Sequence, residues 1–160
     1  MNDEIPRLVP ATTAHVLQMK AWFPTARSCA IWGGPAFRFP FTDETFLEDS
    51  KLAELPSFVL VAQSNDVRGF GQFYRRAGRC HLGRLAIAPE HRGRGLGTRL
   101  IRLLMHEGMG RLGTAECSLF VHVSNTAALA LYERLGFRRT EYPEAGQSLA
   151  DCHYLVMPAR

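Results

Sequence analysis

The sequence predicts a mixed α/β sheet, and three features of its patterning carry that prediction. Two extended apolar runs, Ser57–Ala62 and Val67–Tyr74, flank the turn residues Asn65–Asp66 and read as a β-hairpin. A further extended run, Cys80–Ala88, ends at Pro89 and passes through a glycine-rich turn into a helical stripe of Leu96, Leu100, Leu103 and Leu104. Strand-like and helix-like segments then keep alternating to the end of the chain, which excludes a helix bundle or an all-β barrel.

Arg7–Val9 reads as a short first strand. Thr12 or Thr13 caps a helix through Val16, Leu17, Met19, Lys20 and Phe23, which Pro24 stops. The stretch Ile31–Phe41 sets Trp32, Phe37, Phe39 and Phe41 among Gly33, Gly34, Pro35 and Pro40, so an ordered loop is expected there. Thr42 caps the next helix, carrying Phe46, Leu47 and Leu52, with Asp43 and Glu44 in the first turn where the helix dipole favours negative charge.

Within Cys80–Ala88, Leu82, Arg84, Ala86 and Ala88 share one parity, and His81, Gly83, Leu85 and Ile87 the other. Neither set is cleanly polar, as in a central strand covered on both faces. Gly108, Gly110 and Gly113 are expected to loosen the chain after the leucine stripe. Glu116–Val123 reads as a strand, and Asn125 as the cap of a helix with Ala128, Leu131, Tyr132 and Leu135 on its inner face. Gly136 stands where a helix takes its left-handed terminal residue. Strands near Phe137–Tyr142 and Cys152–Met157 close the pattern. No repeat or linker divides the chain, and one domain over residues 1–160 is expected.

Composition narrows the class. Hydrophobic residues make up 46% of the 160 and charged residues 21%, values of a folded domain with a real core. The net charge of +4 suits an anionic ligand. Nucleic acid is not expected as a partner, because the arginines are scattered or tied to glycines instead of lining one face. Cys29, Cys80, Cys117 and Cys152 form no CxxC pair and read as ordinary thiols in a reducing compartment. The first ten residues carry Asp3 and Glu4 and no apolar segment, and nowhere do eighteen apolar residues run together. No membrane association is expected, and the cytoplasm is the default location. Six histidines are present without an HxH or HExxH pattern, so no metal is expected.

The sharpest local signal is His91-Arg92-Gly93-Arg94-Gly95-Leu96-Gly97, between a buried-looking strand and an amphipathic helix. Alternate glycines let the backbone approach a ligand with its N–H groups turned inward. The free amides of the new helix start favour phosphate, and Arg92, Arg94 and Arg99 offer charge-assisted bonds. The turn lacks the Lys–Ser/Thr ending of a mononucleotide-binding loop, and its GxGxG spacing is not that of a dinucleotide fingerprint. A basic turn that binds nothing is the remaining alternative.

At these residues the chain resembles the GCN5-related N-acetyltransferase (GNAT) family. Arg92-Gly93-Arg94-Gly95-Leu96-Gly97 matches its Q/R-x-x-G-x-G/A cofactor motif, and Leu85-Ala86-Ile87-Ala88-Pro89 its hydrophobic approach. Ser124-Asn125 with Ala127, Ala128, Tyr132 and Leu135-Gly136-Phe137 matches a second block. The likeness covers Ser57–Met157 well and is similar to bacterial ribosomal-protein-alanine-type and other small GNAT enzymes. It implies a mostly antiparallel sheet of six or seven strands with about four helices, whose splayed central strands form an acyl-CoA cleft. It also implies transfer of an acetyl group from acetyl-CoA directly to a primary amine of a small molecule or peptide, by a monomer or homodimer. A catalytically weak acyl-CoA-binding protein of the same fold is the competing reading.

The resemblance assigns the pyrophosphate to the backbone of Arg92, Gly93, Arg94, Gly95, Leu96, Gly97 and Thr98. The pantetheine arm falls to Leu85, Ala86 and Ile87, acting through main-chain atoms. Asn125 matches the family asparagine near the cofactor, and its cap role is equally open. Tyr132 matches the family tyrosine that protonates the departing thiolate, while its spacing with Ala128 and Leu135 by itself favours packing. His81 stands where many members carry a glutamate and is the leading base, with a hydrogen-bonded histidine in a partly buried sheet as an equal alternative. Phe120 replaces the glutamate of the ribosomal-protein enzymes, which leaves Glu116, His122 or a water relay as other proton acceptors. Trp32, Phe37, Phe39 and Phe120 are candidate walls of the acceptor pocket, and for the first three burial of the loop is an equal alternative.

Overall fold

Seven strands form one sheet in the order β1-β2-β3-β4-β5-β7-β6 in the computed structural model, which describes residues 5–144 and 150–159. Asp3 and Glu4, read above as part of a polar N-terminus, lie outside the described residues. The strands are β1 (Arg7–Pro10), β2 (Ser57–Val61), β3 (Val67–Arg76), β4 (Arg79–Ile87), β5 (Cys117–His122), β6 (Arg138–Thr140) and β7 (Cys152–Met157). The α-helices among the described residues are α1 (Thr13–Gln18), α2 (Ala26–Gly33), α3 (Asp43–Asp49), α4 (Leu96–Leu112) and α5 (Thr126–Leu135). β1 pairs antiparallel with β2, β2 with β3, and β7 with both β5 and β6. β4 and β5 run parallel, a pairing that needs a long crossover, and α4 supplies it. The predicted mixed, mostly antiparallel sheet is therefore observed.

The chain forms two compact units, and β3, β4 and α4 each contribute residues to both. One comprises residues up to Gln72 together with Arg84–Leu100. Its core is Val16, Met19, Phe23, Cys29, Phe46, Val59 and Phe70, with Trp32 packed against them. Three short helices frame it, each entered through a threonine whose hydroxyl accepts from a backbone amide three residues on: Thr12 from His15, Thr25 from Ser28, Thr42 from Thr45. Removing such a cap costs about 1 kcal/mol.

Two predicted boundaries change here. Ile31–Gly33 belongs to α2 and not to a loop, because the Thr25 cap starts a helix directly after Pro24. Leu52 falls beyond α3, which ends at Asp49.

The second unit comprises Phe73–Gly83 and the residues from Ile101 onward. It buries Phe73, Cys80, Leu82, Ile101, Leu104, Leu119, Phe137 and Leu155. α4 does not loosen at Gly108 or Gly110, as expected from sequence, but continues to Leu112. Gly108 is required by space: a Cβ there would sit 2.5 Å from Cys80 Sγ and 3.0 Å from the Phe73 ring. Cys80 and Phe73 thus face α4, and by strand alternation their neighbours His81 and Tyr74 face away from it. Cys29, Cys80 and Cys117 are buried free thiols, and Cys152 is half-buried.

Candidate active site

The glycine-rich turn grows out of the end of β4. Pro89 opens a single 3-10 turn to His91, Arg92 is extended, and Gly93 and Gly95 take φ of +76° and +80°. An L-residue at such φ costs roughly 1–2 kcal/mol, so the two glycines make the turn possible. No atom lies within 4 Å of where a Cβ would stand at either position, so the main chain is open to approach. The Gly95 carbonyl accepts from the Arg99 amide at 3.3 Å, which makes the amides of Leu96, Gly97 and Thr98 the first-turn donors of α4. Of the arginines, Arg94 is exposed, Arg92 donates through Nε to the Ile87 carbonyl at 3.2 Å, and Arg99 donates to the Pro6 carbonyl at 2.8 Å. First-turn amides with no partner inside the helix, after an exposed Gly93–Gly95 turn and among arginines, fit an anionic pyrophosphate.

Upstream, β4 contains a kink. Arg84 has φ +49° in mid-strand, a left-handed residue that interrupts the expected regular alternation. Its carbonyl accepts from the Trp32 indole N–H at 2.8 Å, and its guanidinium donates to Gln72 Oε1 at 3.1 Å. Gln72 is itself held, its amide donating to the Ser50 carbonyl at 2.6 Å and to Ser57 Oγ at 2.9 Å. Leu85, Ala86 and Ile87 follow directly, all half-buried.

The second unit gathers a different chemistry on the sheet face turned away from α4. Ser118 lies opposite His81, and Tyr154 opposite Phe120. His81 Nδ1 is 2.9 Å from Ser118 Oγ, and the imidazole lies among Phe120 (ring centroids 5.0 Å apart), Tyr74 (5.3 Å) and Tyr154 (6.4 Å, stacked). Only 2% of His81 is exposed; burial, and secondarily the Arg76 charge, push its pKa down to about 3. His81 is thus a neutral imidazole at physiological pH and a weak proton acceptor. Arg76 reaches over this group, donating through Nε to the Tyr142 hydroxyl at 2.7 Å with its Cζ 4.8 Å from the Phe120 ring centre.

Arg79 ties Glu116 at 3.1 Å, and His122 Nδ1 accepts from the Ser124 amide at 3.1 Å. Asn125 caps α5, its Oδ1 accepting from the Ala128 amide at 3.4 Å. Tyr132 is buried against Phe137, and desolvation raises its phenol to about 12, so it holds its proton across the physiological range.

The aromatic candidates for the acceptor wall separate. Phe37 is part of the first unit's core, and Trp32 stacks between Phe23 (4.2 Å) and Phe46 (5.7 Å). Phe39 reaches the surface, and Phe120 is half-buried beneath Arg76. Sequence reading missed Tyr74, Arg76, Ser118, Tyr142 and Tyr154. For Tyr74 and Arg76 the signal was available, since residues two apart on a strand share a face. Among the described residues no cluster of three or more His, Cys, Asp or Glu could hold a metal ion, and no helix is long and apolar enough to cross a membrane.

Comparison with known proteins adds a family. Residues 21–137 match the model of the acetyltransferase (GNAT) family. The chain is 34% identical over 113 residues to the [ribosomal protein bS18]-alanine N-acetyltransferase of Escherichia coli K12, covering 68% of this chain and 74% of that protein. The crystal structure of the E. coli enzyme superposes with TM-score 0.66 at 23% identity, over 97% of this chain and 94% of that one. An acetyltransferase from Agrobacterium tumefaciens superposes with TM-score 0.73 at 17% identity, over 98% and 92%. The PaiA N-acetyltransferase of Thermoplasma acidophilum, solved with coenzyme A, gives 0.66 at 15%, over 94% and 97%. With the matched segment running from just before α2 through the glycine turn to just past α5, the chain belongs to the GNAT family of acetyltransferases.

Proposed function

We propose that this protein is an acetyl-CoA-dependent N-acetyltransferase acting on a primary amine of a small molecule or peptide. The observation that carries the reading is the turn at Arg92–Gly97, whose left-handed Gly93 and Gly95 leave an open main chain at the start of α4. In this reading the main chain from Arg92 to Thr98 holds the pyrophosphate, and the main chain of Leu85, Ala86 and Ile87 takes the pantetheine arm. Acetyl-CoA, when bound, supplies the activated carbonyl for the amine and a thiolate as leaving group.

The chain's own groups divide the proton work. Tyr132, whose phenol stays protonated, is the donor to the departing thiolate. Asn125 lies seven positions before it and takes the family asparagine's place beside the cofactor. His81 accepts the amine proton, directly or through water. With a pKa near 3 it favours an acceptor that arrives already neutral. Phe120 and the rings around it contact the acceptor. An alanine amine of a protein, as in the name of the E. coli ribosomal protein bS18-alanine N-acetyltransferase, is one such acceptor.

That weak base is also the observation that favours a second reading, a protein that binds acyl-CoA with little turnover. Calorimetric titration with acetyl-CoA, followed by thiol release measured over a panel of small amines and peptides, separates the two. Absence of acetyl-CoA binding would sink both. Binding and thiol release with acceptor supports the enzyme; binding without release on any acceptor supports the second.

A further inference from the structure

Arg84 is a non-glycine residue in the left-handed region in the middle of a strand, and such a conformation persists only where its surroundings hold it. Two tethers hold it. The Trp32 indole donates to the Arg84 carbonyl at 2.8 Å, and Gln72, fixed by Ser50 and Ser57, takes the Arg84 guanidinium at 3.1 Å. The indole is itself packed on both faces, at 16° to Phe23 and at 13° to Phe46, with Phe70 edge-on to it. Downstream of the kink the chain is anchored separately, the Ala88 amide donating to the Arg68 carbonyl at 2.9 Å. This anchor stands between the kink and the glycine turn after Pro89, with the Arg92 side chain reaching back to the Ile87 carbonyl, and Leu85, Ala86 and Ile87 lie between the kink and the anchor.

We propose that Trp32 is a positioning residue: its indole N–H fixes the kink at Arg84 and thereby sets the main chain of Leu85–Ile87 for the acyl-CoA arm. This rests on the reading that those residues carry the arm, and it gives Trp32 a role other than acceptor wall. Deleting the donor while a ring stays in the stack removes the tether and keeps most of the packing, so the effect falls on the arm and spares the nucleotide.

The test uses Trp32→Phe, which keeps a flat ring between Phe23 and Phe46 and lacks the donor. Affinities are measured for acetyl-CoA and for 3′-phospho-ADP, which carries the nucleotide and pyrophosphate but no arm. The expected result is about a tenfold loss for acetyl-CoA and less than about a twofold change for 3′-phospho-ADP, the scale of one lost hydrogen bond. Adding Arg84→Gly to Trp32→Phe restores part of the acetyl-CoA affinity, because glycine enters the kinked conformation without the strain that the tethers offset, although it also lacks the bond to Gln72. Should Trp32→Phe fail to fold, Arg84→Val serves with the aromatic stack intact. A β-branched residue resists positive φ, and the same split between the two ligands is expected. Unchanged acetyl-CoA affinity in Trp32→Phe, equal weakening of both ligands, or no restoration by Arg84→Gly overturns the assignment. A parent protein that binds no acetyl-CoA overturns the proposed function and this inference with it; normal parent binding beside an unaffected variant overturns this inference alone.

Discussion

The guanidinium of Arg76 lies over the ring of Phe120, Cζ to centroid 4.8 Å, and over that of Tyr142 at 5.2 Å. A cation held against aromatic faces is a fixed charge, and the neighbouring His81 responds to it. Arg76→Gln removes the charge and raises the His81 pKa. The value stays below the usual histidine range because burial, the larger cause, remains. Titration of the His81 imidazole by NMR checks this, and an unmoved pKa refutes the coupling.

His81 also ties stability to pH. Its folded pKa is depressed to about 3 while the unfolded chain protonates it near 6.5, so between these values the unfolded state binds more protons. Stability conferred by the neutral imidazole is full above about pH 6.5 and declines as pH falls toward 3. Between about pH 6.5 and 4.5 the loss from this residue alone is on the order of 2 kcal/mol. Urea unfolding of the parent and of His81→Phe at both pH values measures it, and the variant shows the smaller loss.

Tyr132→Phe keeps the ring against Phe137 and removes the proton. Turnover falls by roughly a hundredfold, the lower end for a general acid, while acetyl-CoA affinity changes little. Because desolvation raises the phenol to about 12, the parent shows no alkaline loss from this residue below about pH 11. Steady-state kinetics with pH profiles test both statements.

Gly95→Ala places a Cβ in open space at φ +80°, so its cost is conformational and not steric clash. A strain of roughly 1 kcal/mol or more is expected to reshape the turn and weaken acetyl-CoA binding by about fivefold or more. Calorimetric titration reads the affinity, and an unchanged value argues against the cradle.

Two glycines of α4, two residues apart, should respond in opposite directions. Gly108→Ala forces a methyl against Cys80 Sγ and Phe73 and destabilises by about 1–3 kcal/mol. Gly110→Ala meets nothing within 4 Å and gains about 0.5–1 kcal/mol of helix preference. Thermal unfolding of the pair distinguishes them.

These two positions also show where sequence was readable. β7 was predicted at its observed bounds, Cys152–Met157, and the hairpin, the glycine turn and the Asn125 cap were legible, because each depends on local chemistry. Gly108 looks like a helix breaker until Cys80 and Phe73 are seen against it. The start of α2 carries a local signal, the capping box of Thr25 and Ser28, while the glycines and prolines after Ile31 obscure how far the helix runs. The kink at Arg84 has no local signature, and it comes from Trp32 and Gln72, distant in sequence. Likewise, His81 is visible as a candidate, but its depressed basicity depends on the packing of residues from three other strands.

The unequal burial of the four thiols has a practical side. Cys29, Cys80 and Cys117 are sealed, whereas Cys152 is half-buried at the start of β7, opposite His122. Burial and the adjacent Asp151 raise its pKa, so alkylation is slow at neutral pH and quickens in mild alkali. The native chain thus carries one preferred attachment point for a fluorophore, located beside β5, where an optical signal would report events on that strand without any engineered cysteine.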